Sequence, residues 1–169
     1  MTIVAGFVVQ DGIVLCADTM YSGGMKVDRT KLFPARFDNG LSVVFALAGH
    51  EGCAKMAIQD CNDALAAIAS DARAMKRIRR AVLGVVNSIH KNDIAALPQP
   101  TAQEEAQFSL LVAAWNEIEG LHLFKVLRTS IAEVKSYECH GIGRVLCSAA
   151  PRVRRSRYIH RLRGRLAEE

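Results

Sequence analysis

The order of apolar patterns along this chain predicts an α+β fold, with strands and helices gathered into separate layers. Three observations carry that prediction. Two pairs of apolar runs near the N-terminus are joined by Asp-Gly and Asn-Gly turns. Two long stretches in the middle repeat apolar residues every three or four positions, and three strand-like runs follow them. Strand runs and helix runs that are segregated in this way argue against alternating βαβ units. The 169 residues are half apolar, enough for about one domain with a real core.

Each element has its own local reason. Residues 2–9 and 13–18 are apolar or β-branched on both sides of Asp11-Gly12 and form the first hairpin. Consecutive apolar residues in both arms predict that both faces of this pair are covered. The second hairpin joins residues 31–37 to 41–47 through Asp38-Asn39-Gly40, whose Asn-Gly pair supplies the positive φ of a tight turn. The intervening TMYSGGMKVDRT is too polar for core and is expected to be a connection. Over 51–70, Cys53, Ala57, Cys61, Leu65 and Ile68 mark the buried stripe of a helix. Over 72–96, Met75, Ile78, Val82, Val86 and Ile89 mark a second, with Arg73, Lys76, Arg77 and Arg80 on its solvated face. Pro98 and Pro100 end it, and residues 107–115, 121–128 and 134–140 read as strands.

Composition narrows the function classes. The net charge of +5 belongs to residues 151–169, where seven arginines between Arg152 and Arg165 face only Glu168 and Glu169. A solvated or docking segment fits that stretch better than a nucleic-acid module, since Tyr158 is its one aromatic. The expected organisation is therefore a domain over 1–150 and an Arg-rich tail over 151–169. No apolar run approaches the roughly 18 residues of a membrane span. The opening run Ile3–Val9 has neither a basic segment before it nor a small-residue cleavage site after it, so it is not expected to be a signal peptide. Five cysteines without a CxxC pair read as buried free thiols of a reducing compartment, so a cytoplasmic location is expected. No metal or cofactor motif stands out, and neither is expected.

Three residues carry candidate chemistry. Thr2 becomes the first residue once Met1 is removed, and Met before a small residue suits that processing. Asp18 closes the second strand in CADT, and Lys31 opens the third in TKLF. Strand parity alone does not put Thr2 and Asp18 on one face, so a bulge or loop must bring them together.

These stretches, TIVAGFVVQDGIVLCADT, TKLF, FALAGHEG, SLLVAAWNEIEGLHLFKV and YECHGIG, resemble the β-type proteasome subunits and their bacterial relatives, the N-terminal-nucleophile (Ntn) hydrolases. The resemblance covers roughly residues 2–147. It implies a four-layer αββα sandwich, truncated or altered at its C-terminal end, and a threonine endopeptidase. A threonine hydroxyl is a weak nucleophile that needs an adjacent base. A free α-amine, with a pKa of roughly 8, can take that proton, so an N-terminal Thr2 holds nucleophile and base together. The resemblance assigns Lys31, held by Asp18, to electrostatic activation of Thr2, and the Gly49 N–H to the oxyanion. It places Tyr21 and Ser22 beside the substrate backbone, and Leu47 on the floor of the pocket for the residue before the cut bond. Glu51 and Lys55 also reach that pocket. Leu47 favours large apolar residues there, whereas Glu51 favours basic ones.

The expected partners are unfolded polypeptides or peptides as substrates, further copies in a homo-oligomeric ring, and an ATP-dependent unfoldase, with no membrane and no nucleic acid. Two departures keep alternatives open. Ile142 stands where the family has Ser in its Gly-x-Gly segment, and PRVRRSRYIHRLRGRLAEE replaces the expected helix, strand and helix. A non-cutting ring subunit and a small-amide Ntn amidohydrolase are the alternative readings.

Overall fold

The computed structural model describes residues 3–23, 25–28 and 30–141, and for residues 20–28 the backbone alone. The first hairpin pairs β1 (Val4–Val9) with β2 (Gly12–Ala17), but its two-residue turn is Gln10-Asp11 rather than Asp11-Gly12, and Gly12 opens β2 opposite Val9. The polar connection is not loop. It forms a small hairpin of its own, β3 (Met20–Gly23) with β4 (Met25–Asp28), because alternating backbone pairing needs no buried side chains. The Asn39-Gly40 hairpin then joins β5 (Leu32–Arg36) to β6 (Ser42–Gly49).

Helix α1 (Glu51–Ala66) stops earlier than its periodicity predicts. The cause is tertiary: the Asn39 side chain donates to the carbonyls of Leu65, 3.1 Å, and Ile68, 2.7 Å. Helix α2 (Ala74–Ile89) continues into a π-turn over His90–Ile94, and a short α3 (Pro100–Glu105) starts on Pro100, where a missing N–H costs nothing. The strands β7 (Phe108–Asn116) and β8 (Gly120–Leu127) follow. The single strand expected over 134–140 is two. β9 (Ser130–Val134) pairs with β8, and β10 (Tyr137–His140) pairs with β1, so Lys135-Ser136 carries the chain from one sheet to the other.

Two antiparallel sheets result, of order β5-β6-β7-β8-β9 and β10-β1-β2, beside the small β3-β4 pair. The outer face of the five-stranded sheet packs Phe45, Leu47, Leu110 and Val112 against the buried stripes of α1 and α2. Its inner face packs Ala46, Leu111 and Leu123 against Val4 of the smaller sheet. The sheets approach closely at Gly6, where an added Cβ would stand 3.0 Å from side-chain atoms of Leu15 and Leu123. Among the described residues nothing covers the opposite face of the smaller sheet, where Phe7 and Tyr137 stack on each other, 42% and 56% exposed. A second helical layer of the expected sandwich would fall after Gly141, outside the described residues, together with the tail, Ile142 and Cys147.

Cys61 and Cys139 are buried as expected, whereas Cys53 is half-buried and Cys16 is exposed on the outer face of β2. Burial pushes the Cys61 thiol up to about 12, so it packs as an inert apolar group. Among the described residues no helix is long and apolar enough to cross a membrane, and no cluster of metal-binding side chains occurs.

Candidate active site

One end of the sandwich gathers Asp18, Lys31 and Gly49. Asp18 lies just past β2, and its N–H donates to the Ile3 carbonyl at 3.0 Å. In return the Ile3 N–H donates to Asp18 Oδ1 at 2.9 Å, closing the open end of the first hairpin. The same oxygen accepts from Lys31 Nζ at 2.7 Å. A loop position therefore achieves what strand parity could not. The carboxylate reaches back to the backbone at residue 3 while holding the lysine.

The Lys31 side chain is fully buried, and Asp18 is about one-third exposed. A lysine is almost never buried unless paired, so the pair shapes this end of the molecule. Burial works against the Asp18 carboxylate, but the hydrogen bond from Lys31, the Ile3 N–H and the lysine charge outweigh it and hold its pKa below the ordinary value. Asp18 is thus ionised at neutral pH.

Gly49 ends β6 with φ of +97°, a left-handed conformation that L side chains rarely adopt. A Cβ there would meet the Gln107 carbonyl at 2.4 Å and Phe108 Cα at 2.8 Å. Only glycine fits. Leu47 N donates to the Lys31 carbonyl and His50 N to the Gln107 carbonyl, at 3.0 and 2.9 Å. By the alternation of antiparallel ladders, the Gly49 N–H points to the β5 side, the side on which Lys31 begins its strand. His50 then caps α1, its Nδ1 accepting from the Cys53 N–H at 3.2 Å.

The remaining expected residues are placed less evenly. Leu47 lies opposite Lys31 in the ladder but is fully buried in the core beneath α1. Glu51 and Lys55 form an i,i+4 ion pair of 2.6 Å on the first turns of α1. Tyr21 and Ser22 lie on β3, with their side chains outside the description, and Thr2 is outside the described residues. Sequence reasoning missed Gln107 and Phe108, which form the wall behind Gly49. No local signal could have found them, because the contact joins strands separated by two helices.

No family model and no curated protein matches the sequence. Solved structures match its fold. Anbu (ancestral beta-subunit) from Yersinia bercovieri superposes with a TM-score of 0.68 at 16% identity, over 85% of this chain and 61% of that one. The fold is that of the proteasome-like Ntn proteins. The helical assembly of the Anbu complex from Pseudomonas aeruginosa gives 0.61 at 14% identity, over 83% and 61%. A eukaryotic HslV from Trypanosoma brucei gives 0.59 at 15% identity, over 88% and 76%. The chain thus spans 61% of the length of these Anbu subunits.

Proposed function

We propose that this chain is a proteasome-like β-type subunit of the four-layer Ntn kind, acting as a threonine endopeptidase on unfolded polypeptides within a homo-oligomeric assembly. The observation that carries this reading is the shared Asp18 oxygen. It holds the buried Lys31 ammonium and the Ile3 N–H at once, which supports a cation near the backbone that follows the proposed nucleophile in sequence. In this reading Met1 is removed and the Thr2 α-amine takes the Oγ proton as Oγ attacks the peptide carbonyl. Lys31 lowers the amine and hydroxyl pKa values electrostatically. The Gly49 N–H stabilises the oxyanion, a contribution of about 3–4 kcal/mol for one such donor. Tyr21 and Ser22 align the substrate backbone, and Glu51 with Lys55 flanks the pocket for the residue before the cut bond. Leu47, fully buried beneath α1, supports that pocket from behind rather than lining it as expected. An ATP-dependent unfoldase in the cytoplasm would feed the assembly.

Intact-mass spectrometry and a Thr2→Ala variant test this together. Loss of the mass of Met1, with peptide hydrolysis abolished in folded Thr2→Ala, is the expected result. Full activity in Thr2→Ala removes the threonine mechanism. A retained Met1 instead favours the second reading, a ring subunit that does not cut, to which Ile142 in place of the family's Ser also points.

A further inference from the structure

We propose that His90 is a positioning residue for Gly49, acting through the ring and backbone of Phe108. The inference rests on the reading of Gly49 as oxyanion donor, and it starts from an oddity in α2. The helix widens at its end into the π-turn His90–Ile94, where the Ala95 N–H reaches back to the His90 carbonyl at 2.9 Å. Such turns are uncommon and cost regular geometry. Here the extra residue keeps Ile89 and Ile94, five apart, both in the core. It also leaves the His90 ring stacked on Phe108, with centroids 5.8 Å apart and planes 22° from parallel.

Phe108 is the residue against which Gly49 is folded. It is opposite Gly49 in the β6–β7 register, and its Cα lies where a Cβ on Gly49 would come within 2.8 Å. Its ring is buried, so it is held on one side by the helix-side core and on another by His90. The preceding residue is tied as well. Gln107 Nε2 donates to the Gln103 carbonyl at 2.9 Å, and Gln103 Nε2 donates to the Leu97 carbonyl at 2.8 Å. The segment behind Gly49 is therefore fastened to α3 and, through it, to the loop that follows the π-turn.

His90 Nε2 is buried and makes no hydrogen bond among the described residues. A buried, unsatisfied ring nitrogen is a cost that a leucine would not carry. What the imidazole supplies is a flat, uncharged face against Phe108. Burial and then the charge of Arg128, from the β8–β9 turn, both lower its pKa and keep the ring neutral.

The decisive measurement observes Gly49 directly in the full-length protein. Labelling alanine carbonyls with ¹³C and glycine amides with ¹⁵N selects only the Ala-Gly pairs, which in this sequence are Ala5-Gly6 and Ala48-Gly49. Gly6, at the centre of the smaller sheet, is the internal control. In His90→Ala the Gly49 amide resonance should move while Gly6 stays, and His90→Phe should return it to the wild-type position. Peptide hydrolysis should follow: in His90→Ala kcat falls about tenfold or more with KM little changed, the signature of a misplaced oxyanion donor, and His90→Phe recovers it. A role in stability alone would lower the melting temperature without moving Gly49. An unmoved Gly49 resonance in His90→Ala, or one that His90→Phe does not restore, overturns the proposal. If His90→Ala does not fold, His90→Leu, which fills the site without a flat ring, takes its place. If the wild type hydrolyses no peptide, the peptidase reading fails by itself, and the Gly49 resonance still decides what His90 does.

Discussion

Lys31 and Asp18 show what a single side chain can be asked to do at this site. Lys31→Ala leaves the Asp18 carboxylate without its cation and should reduce kcat to below about a tenth of wild type, a barrier increase above roughly 1.4 kcal/mol. Lys31→Arg should not restore it, because a planar fork cannot replace a compact ammonium in a fully buried position. Steady-state kinetics on a fluorogenic peptide reads both. Asp18 makes a prediction about pH. Its folded pKa is held below the ordinary value, so its ionised form contributes stability that is fully present above the unfolded pKa of about 4. That contribution is lost as the pH falls through the folded pKa. Thermal melts of wild type and Asp18→Asn should therefore differ at neutral pH and converge in acid. Both residues were legible as candidates from CADT and TKLF, and the resemblance implied that Asp18 holds Lys31, but the geometry of that contact was not legible. It depends on a loop carboxylate turning back to the Ile3 N–H, which no strand periodicity encodes.

Elements were legible wherever local chemistry and tertiary demand agreed. The Asn39-Gly40 hairpin is such a case, with Gly40 at φ of +81°. Yet Asn39 does more than turn the chain. It also accepts from the Leu41 N–H at 3.0 Å and caps the end of α1 through its amide. Asn39→Ala should cost about 1–3 kcal/mol and fray α1 at Leu65, seen as faster amide exchange there and a lower denaturant midpoint. Gly49→Ala should be worse. Left-handed strain of about 1–3 kcal/mol adds to a backbone clash that no rotamer relieves. A urea melt as stable as wild type would contradict the geometry of this turn. The elements missed share one cause. The β3-β4 pair, α3 and the π-turn carry little apolar periodicity, so their backbone pairing and helix phase are set by neighbours.

At the scale of the molecule, the described residues leave an apolar outer face on the smaller sheet, on which Phe7, Val9, Cys16 and Tyr137 are exposed. Such a face favours association. The proposed homo-oligomeric assembly predicts that sedimentation velocity at micromolar concentration gives a species several times the 18.5 kDa chain. A stable monomer would count against the ring, whether it cuts or not. By itself, the sequence determined the α+β class, the two main hairpins and the two long helices with their buried stripes. All of these are written in short-range spacing and turn chemistry. Only the tertiary structure decided that 134–140 crosses from one sheet to the other, where α1 ends, and that Gln107 and Phe108 stand behind Gly49. Those outcomes depend on contacts between residues far apart in the chain. Their energies come from close packing and paired backbone groups, which appear only when the layers meet.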